Sequence, residues 1–280
     1  MAFGFCCPLC GLPLTAAPDA YRCPSGHSFD RAAKGYVNLL LPNQKNSREP
    51  GDDPECLRAR HRFLNAGFYA PLADKIGAWA AANAPDHAAV LDCCCGEGYY
   101  TRALRHALDA AGKHPQVAAF DISRSGVKLA ATRSDPTAFA VASVFRIPVA
   151  SASVDLALLC FAPFCGAELT RVLKPGGVLL HVLPGKRHLF GLKAALYAQP
   201  YENDEQGASA DGLTERERVR VSARVRLTAA QAADLLAMTP YAYRTAPDAM
   251  ARLHEQSELD TELDFIIRIL QKNVGKEPIA

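Results

Sequence analysis

Four potential metal ligands lie close together near the N-terminus. Residues 7–27 read CPLCGLPLTAAPDAYRCPSGH, in which a C-x2-C pair is followed by a C-x3-H pair. Pro and Gly beside both pairs favour the tight turns that bend backbone amides around an ion. Three thiolates and one imidazole form a closed tetrahedral set of zinc ligands. The spacing therefore predicts a structural zinc site made of Cys7, Cys10, Cys23 and His27.

The segment around these ligands is too short to build a core of its own. A short segment needs a staple such as a metal ion, which argues against the alternative that the four residues are unconnected. Residues 1–48 carry five Lys or Arg side chains against two Asp, together with the aromatic residues Tyr21, Phe29 and Tyr36. This basic and aromatic surface suits RNA, and an ordinary solvated face explains it almost as well.

A second group of chemically reactive residues is the run Cys93–Cys95, within AAVLDCCCGEGYYTRAL at residues 88–104. Consecutive strand residues point in alternating directions and do not converge on one ion, which disfavours a metal site. A catalytic thiol is disfavoured because no base neighbours the cysteines in sequence. We interpret them as small, buried residues of a turn that links a strand to a helix.

Composition limits the classes of function. The chain has 280 residues, 49% of them hydrophobic, and a net charge of +2 from 31 basic and 29 acidic side chains. This length suits one large domain with an appendage or two ordinary domains, and the charge predicts no polyanionic partner by itself. No apolar run approaches the roughly 20 residues of a membrane span, and MAFGFCCPLCG is unlike a signal peptide. We expect a cytoplasmic protein with reduced cysteines and no membrane partner.

Strand and helix patterns alternate along most of the chain. The strand AAVLDCC precedes the helical pattern GEGYYTRALRHAL, and a second short strand, QVAAFDIS, contains Asp121 near its end. The strands SVDLALLCFAP and GGVLLHVLP flank GAELTRVLKPGG, which reads as a helix closed by a Pro-Gly-Gly turn. This alternation predicts an α/β, doubly wound and mostly parallel sheet that binds ligands at its carboxyl edge.

Three further segments complete the predicted organisation. Residues 43–54 are polar and contain Pro and Gly, which predicts a linker, and two helices follow with a break at Gly67. Residues 200–214 predict a polar loop without readable chemistry. Residues 216–227, RERVRVSARVRL, predict a strand with an arginine face that contacts phosphates or guards a solvated edge.

The spacing of Asp92, Cys94, Gly96 and Gly98 resembles the D-x-G-x-G-x-G loop of class I S-adenosylmethionine-dependent methyltransferases. In that loop small residues let the backbone approach the cofactor, and an acid at the end of the second strand, here Asp121, accepts hydrogen bonds from ribose hydroxyls. Cys94 stands where the loop has its first glycine. Because cysteine has a Cβ, we expect a negative φ at Cys94.

Motifs along nearly the whole chain resemble those of the RlmA-type 23S rRNA (guanine-N1)-methyltransferases. They include CPLCGLPL, CPSGHSFDRAAKGYVNLL, SREPGD, FLNAGFYAPL, LDCCCGEGYYT, DISRSGVKLAA, ELTRVLKPGG, PGKRHLFGLK and MTPYAYR. The resemblance implies a Rossmann-like class I methyltransferase domain with a small N-terminal zinc-binding module that helps recognise RNA. It implies methyl transfer to N1 of a guanine in the helix 35 loop of 23S rRNA, with S-adenosylmethionine and zinc as cofactors.

The resemblance also assigns domains and site residues. It implies a zinc-binding RNA-recognition module over 1–42, a linker and connecting helix over 43–70, and a methyltransferase domain over 71–280. Zinc would be held by Cys7, Cys10, Cys23 and His27. Expected cofactor contacts, those of the glycine loop included, are Tyr69, Asp92, Gly96, Glu97, Gly98, Asp121 and His188. The partner implied is the helix 35 region of 23S rRNA, and whether the protein is a monomer or a homodimer stays open.

The catalytic base is not assigned by the sequence. Guanine N1 carries a proton at neutral pH that must leave before the nitrogen attacks, so a carboxylate or imidazole is expected nearby. The candidates near strand ends are Glu97, Asp121, Asp155 and His188. Phe161 follows a strand and either lines a base pocket or packs in the core. Two other functions stay open: methylation of a small molecule, and binding of RNA or cofactor without catalysis.

Overall fold

The structure is a computed structural model that describes residues 3–44, 47, 50–132 and 136–274. The described chain forms eleven strands and eight α-helices. Part of the predicted linker, at 45–46 and 48–49, lies outside the described residues, as does the predicted end of the methyltransferase domain at 275–280. The strands are β1 (Thr15–Ala16), β2 (Ala20–Arg22), β3 (Ser28–Asp30), β4 (Val37–Asn38), β5 (Ala89–Cys93), β6 (Gln116–Asp121), β7 (Ala138–Val141), β8 (Val154–Cys160), β9 (Leu173–Pro184), β10 (Leu213–Thr228) and β11 (Glu258–Lys272). The helices are α1 (Pro54–Asn65), α2 (Ala70–Asn83), α3 (Tyr99–Ala110), α4 (Arg124–Ala130), α5 (Gly166–Val172), α6 (Phe190–Leu196), α7 (Ala229–Ala237) and α8 (Pro247–Glu255).

The central sheet has eight strands in the order β10-β11-β9-β8-β5-β6-β7-β4. Pairing is parallel from β9 through β8, β5, β6 and β7 to β4, and β10 and β11 add two antiparallel pairings at one end. The middle strands are buried on both faces, as their continuous apolar runs require. The mostly parallel α/β fold predicted from the sequence is confirmed, and the carboxyl ends of β5, β6 and β8 share one edge.

The helices before the sheet form as their sequence predicts. Asp53 begins α1, where its carboxylate accepts hydrogen bonds from the amides of Glu55 and Cys56 at 2.8 and 2.9 Å. Gly67 has φ +86° and separates α1 from α2, a conformation that glycine adopts without steric cost. The apolar positions Leu57, Phe63, Leu72 and Ile76 are all buried, so both helices contribute an apolar face to the protein core.

The N-terminal module is joined to the central sheet. Strands β1, β2 and β3 form a small antiparallel sheet, and β4 then pairs in parallel with β7, with Val37 opposite Ala140. The Cys6 amide donates to the Pro148 carbonyl at 2.7 Å, and Phe5 bridges Val149. Residues predicted for the zinc module thus supply the last strand of the methyltransferase sheet.

The far edge of the sheet is the arginine-rich strand β10. Three of its arginines form ion pairs within the protein: Arg218 with Glu215 at 2.7 Å, Arg220 with Glu205 at 2.5 Å and Arg226 with Asp260 at 2.9 Å. These pairs support the interpretation of a charged edge that resists strand pairing over that of a phosphate-binding face.

Two further observations refine the sequence analysis. The helix predicted over GAELTRVLKPGG is shorter than expected and ends at Val172. Leu173 already pairs with Val154 and begins β9, so the Pro-Gly-Gly run lies inside this strand and does not close the helix. Among the described residues no helix has the length and apolar character needed to cross a membrane.

Candidate functional site

The four predicted zinc ligands come together at one point. The ligand atoms of Cys7, Cys10, Cys23 and His27 all lie within 4.8 Å of one another. The Sγ atoms of Cys10 and Cys23 are 3.6 Å apart, and His27 Nδ1 is 3.5 Å from Cys7 Sγ and 3.4 Å from Cys23 Sγ. A tetrahedron with Zn–S bonds of about 2.3 Å has edges of about 3.8 Å, so the donor set fits zinc.

Local turns position these ligands. The Gly11 amide donates to the Cys7 carbonyl at 2.8 Å and the Gly26 amide to the Cys23 carbonyl at 3.0 Å. Both glycines have positive φ, +75° and +82°, which closes each turn around the cluster. A hydrogen bond from the Leu12 backbone lowers the pKa of Cys10 to about 6, which favours the thiolate form that binds metal.

A glycine-type loop joins β5 to α3 at the carboxyl edge of the sheet. Cys94, Gly96 and Gly98 all have positive φ, at +61°, +54° and +79°. The expectation of a negative φ at Cys94 is therefore wrong. The loop must turn back so that the Cys95 amide reaches the Phe120 carbonyl at 2.9 Å, and this path imposes a left-handed residue at position 94 whatever its side chain.

The loop also leaves no room for side chains at two contacts. A Cβ on Gly98 would lie 3.0 Å from the Ala130 Cβ, and a Cβ on Gly126 would lie 3.0 Å from the Gly96 carbonyl oxygen. Helix α4 therefore packs directly against the loop backbone. Small residues at these positions keep the backbone open to a ligand at the start of α3, where amides without intrahelical partners point outward.

Asp121 lies at the end of β6 beside this loop. Its carboxylate accepts hydrogen bonds from the amides of Gly96 at 2.8 Å and Ser123 at 2.7 Å. Burial raises the pKa of Asp121, whereas the two amides and the nearby Arg60 favour its charged form. The carboxylate thus holds the loop in place and lies at the strand end where a ribose acceptor is expected.

The other two acids predicted as cofactor contacts are buried. Asp92 accepts a hydrogen bond from Thr101 Oγ1 at 2.5 Å, so its side chain is directed at the first turns of α3. Burial raises the pKa of Asp92 to about 7. Glu97 is 1% exposed, and its Oε2 accepts a hydrogen bond from His61 Nδ1 on α1. Asp92 thus connects the end of β5 to α3, and Glu97 connects the glycine loop to α1.

Tyr69 and His188 meet although 119 positions separate them. His188 Nε2 lies 3.4 Å from the Tyr69 hydroxyl, and His188 Nδ1 accepts from the Asp264 amide at 3.2 Å. Because Nδ1 accepts, the neutral ring carries its proton on Nε2 and donates to Tyr69. Burial lowers the pKa of His188 to about 3, so the ring is neutral at physiological pH.

These contacts narrow the set of candidate bases. Asp155 lies at the start of β8, where it accepts from the Ala89 amide and pairs with Lys174 at 2.7 Å. That is the amino end of the strand, opposite the glycine loop. His188 presents an N–H to the site and has no free lone pair there. Asp155 and His188 are thereby removed as bases, and neither Asp121 nor Glu97 is favoured by its contacts.

Two residues near the loop escaped the sequence analysis. Arg60 on α1 pairs with Asp52 and donates to the Met238 carbonyl at 3.4 Å, and its guanidinium lies 3.8 Å from a Cβ placed on Gly96. The Tyr100 hydroxyl is buried and has no hydrogen-bond partner among the residues that the structure describes. Its place directly after the glycine loop was the one signal available for Tyr100, and Arg60 had none.

Comparison with known families agrees with this geometry. Residues 5–48 match the family described as RlmA, N-terminal, a zinc ribbon, and residues 90–177 match a methyltransferase domain family. The first match contains all four clustered ligands, and the second begins in β5 and covers the glycine loop and Asp121. Three features fit S-adenosylmethionine: the open backbone at the loop glycines, Asp121 at the end of β6, and the buried Tyr100 hydroxyl, which has no hydrogen-bond partner among the described residues.

Curated relatives extend over nearly the whole chain. A protein from Streptomyces fradiae, named 23S rRNA (guanine(748)-N(1))-methyltransferase, is 34% identical over 258 residues, 88% of each chain. A relative from Micromonospora griseorubida is 34% identical over 278 residues, 90% of this chain and 91% of that one, and one from Bacillus subtilis is 33% identical over 280 residues, 96% and 97%. Both have provisional names of the same class. The chain therefore belongs to the RlmA-type 23S rRNA (guanine-N1)-methyltransferase family.

Proposed function

We propose that this protein transfers a methyl group from S-adenosylmethionine to N1 of one guanine in the helix 35 loop of 23S rRNA. The observation that carries the proposal is the junction of the two parts: the zinc ribbon supplies β4 to the same sheet whose carboxyl edge bears the glycine loop. A substrate that contacts the ribbon can thus extend to the cofactor site without any rearrangement of domains. The name of the Streptomyces fradiae relative supports a guanine of 23S rRNA as the target.

The cofactor would be held by residues at or after the ends of β5, β6 and β9, together with Tyr69 directly before α2. Backbone at Gly96 and Gly98 admits its methionine part, Asp121 offers acceptors to its ribose hydroxyls, and the Tyr100 hydroxyl offers a buried polar contact. Tyr69, Glu97 and His188 complete the expected contacts with the cofactor. Asp92 binds Thr101 and so holds α3 against the end of β5. When bound, S-adenosylmethionine supplies an electrophilic methyl group on a sulfonium.

The protein's own contribution is mainly positioning. Methyl transfer is an in-line displacement, so its rate depends on how well donor and acceptor are aligned. The neutral His188 orients the Tyr69 hydroxyl by donating to it, and the rings of Tyr69 and Phe265, 4.8 Å apart, form an apolar wall that excludes water. The four bound zinc ligands would keep the ribbon rigid for RNA recognition.

Mapping of methylated positions tests the proposal. 23S rRNA from a strain that lacks this gene is incubated with the zinc-loaded protein and labelled S-adenosylmethionine, and N1-methylguanine is located by primer extension, which stops where the Watson–Crick edge is blocked. We expect one stop, in the helix 35 loop. Label in a small-molecule extract but not in rRNA would favour the small-molecule alternative. Cofactor binding without transfer to either substrate would favour a non-catalytic role.

Two finer expectations belong to this proposal. An rRNA substrate places the reaction in the cytoplasm. A homodimer would offer two ribbons to one RNA, and sedimentation of the zinc-loaded protein with and without rRNA distinguishes it from a monomer.

A further inference from the structure

Phe161 adopts a backbone conformation that its side chain disfavours. It directly follows β8 and has φ +52°, in the left-handed region that bulky residues rarely occupy. Its amide donates to the Val182 carbonyl at 3.1 Å, so the conformation is held by the neighbouring strand β9. Strained residues of this kind persist where the surrounding structure imposes them, and they cluster at functional sites.

The Phe161 ring is partly exposed to solvent. The Phe161 residue is 41% exposed, whereas the aromatic residues next to it, Tyr69, His188 and Phe265, are 4%, 7% and 2% exposed. The Phe161 ring lies 5.8 Å from that of Phe265, 6.4 Å from that of Tyr69 and 6.3 Å from the His188 imidazole, to which it is inclined by only 11°. One part of the ring therefore rests on a rigid aromatic cluster while the rest faces solvent.

The register of the sheet places this ring beside the cofactor loop. Leu159 of β8 lies opposite Cys93, the last residue of β5, so Phe161 is two residues beyond the point where the glycine loop begins. A residue that served only to pack the core would not leave its ring partly exposed at this edge of the sheet. A residue that presents a flat face to a ligand would.

We propose that Phe161 is the platform on which the target guanine stacks when it leaves the RNA loop, which makes it a specificity-determining contact for the base. This inference rests on the proposed function. Enzymes that modify a base take it out of its stack, and they hold the extruded base against aromatic side chains. The stacked purine presents its edge, and hence N1, towards the neighbouring glycine loop.

Three variants at this position separate stacking from packing. Phe161→Leu keeps an apolar side chain but removes the aromatic face, Phe161→Ala removes both, and Phe161→Tyr keeps the face. Base–aromatic stacking contributes about 1–3 kcal/mol per base, which corresponds to a loss of roughly 5- to 150-fold in kcat/KM for rRNA. We expect losses in this range for the Leu and Ala variants and near-normal activity for the Tyr variant.

A matched control removes another exposed apolar side chain. Leu129 on α4 is 37% exposed, close to the value for Phe161, and Leu129→Ala is expected to methylate normally. Each variant is also measured for thermal unfolding and for S-adenosylmethionine affinity by calorimetry, and we expect the affinity to stay that of the unaltered protein. A loss of cofactor affinity in Phe161→Leu that matches its loss of activity would overturn the inference in favour of a cofactor contact.

The results distinguish this inference from the function on which it rests. Normal kcat/KM for Phe161→Leu and Phe161→Ala, with rRNA methylated by the unaltered protein, would overturn the stacking role alone. A failure of the unaltered protein to methylate 23S rRNA would contradict the proposed function itself. A selective loss in the Leu and Ala variants, rescued by Tyr, supports both.

Discussion

Replacement of Cys94 by glycine tests the conformation of the cofactor loop. The residue has φ +61°, and a left-handed backbone costs a non-glycine residue about 1–2 kcal/mol. Glycine removes that cost but loses about 0.4–1 kcal/mol because its unfolded chain is more flexible. Comparison of Cys94→Gly with Cys94→Ala cancels the loss of the sulfur, so the glycine variant is expected to be more stable by about 0.5–1 kcal/mol.

The neighbouring cysteine provides a control of opposite sign. Cys93 is the last residue of β5, is fully buried and does not have positive φ. Glycine in a strand is less stable than alanine by about 0.5–1 kcal/mol, so Cys93→Gly should be less stable than Cys93→Ala. Glycine should therefore be more stable than alanine at position 94 and less stable than alanine at position 93. A general effect of cysteine removal would not produce this difference in sign.

Urea unfolding of the zinc-loaded protein measures these differences. Trp79 on α2 is the single tryptophan of the chain, and its fluorescence reports on the methyltransferase domain. A Cys94→Gly variant less stable than Cys94→Ala would show that the loop does not have the left-handed residue at position 94. Because no thiol role is expected, Cys94→Gly should also keep its methylation activity. A triple variant, Cys93→Ala/Cys94→Gly/Cys95→Ala, that binds cofactor but transfers no methyl group would instead demonstrate a participating thiol.

Three further predictions concern the metal and the acids. Cys23→Ser should lose zinc and the folding of the N-terminal module, as metal analysis and proteolysis would show, and full zinc retention would contradict the ligand assignment. Asp121→Ala should weaken S-adenosylmethionine binding by about ten-fold or more, because hydrogen bonds to a charged group contribute about 1.5–3 kcal/mol, and unchanged affinity in calorimetry would refute the ribose role. The raised pKa of Asp92, about 7 against about 3.9 in the unfolded chain, means that its ionisation destabilises the fold progressively as pH rises from 4 to 7. The stability gained by Asp92→Asn should therefore grow between pH 5 and pH 7 in cofactor-free protein, and a gain that does not depend on pH would contradict the raised pKa.

Local patterns allowed the sequence to predict much of this structure. The zinc ligands occur as two pairs on tight turns. Because the two members of each pair are only three or four residues apart, the turn alone brings both side chains to one ion. The alternation of apolar strands and amphipathic helices predicts a parallel sheet because each strand must be buried on both faces. The glycine loop and Asp121 were identified by their resemblance to the loop and the second-strand acid of class I methyltransferases. They lie together because the ends of adjacent parallel strands share one edge.

Contacts between distant segments were decided by the tertiary structure alone. Val37 pairs with Ala140 across about a hundred residues, so no local pattern shows that the zinc module contributes a strand to the central sheet. The partners of His188, which fix its proton on Nε2 and remove it as a base, are Tyr69, directly before α2, and Asp264 of β11. Asp155 was one of four candidate bases in the sequence, and the direction of β8 places it at the opposite edge of the sheet.

The backbone conformation at the site was also predicted in part by the sequence and decided in part by the tertiary structure. The residue types around Cys94 and Phe161 identified a glycine-type turn and a strand end, because turn propensity and apolar periodicity are properties of short segments. The sign of φ at both positions follows from hydrogen bonds to neighbouring strands, from Cys95 to Phe120 and from Phe161 to Val182. A strained residue is by definition one whose own preference is overruled, so the sequence could specify the loop and the strand while only the assembled sheet could impose left-handed backbone on a cysteine and a phenylalanine.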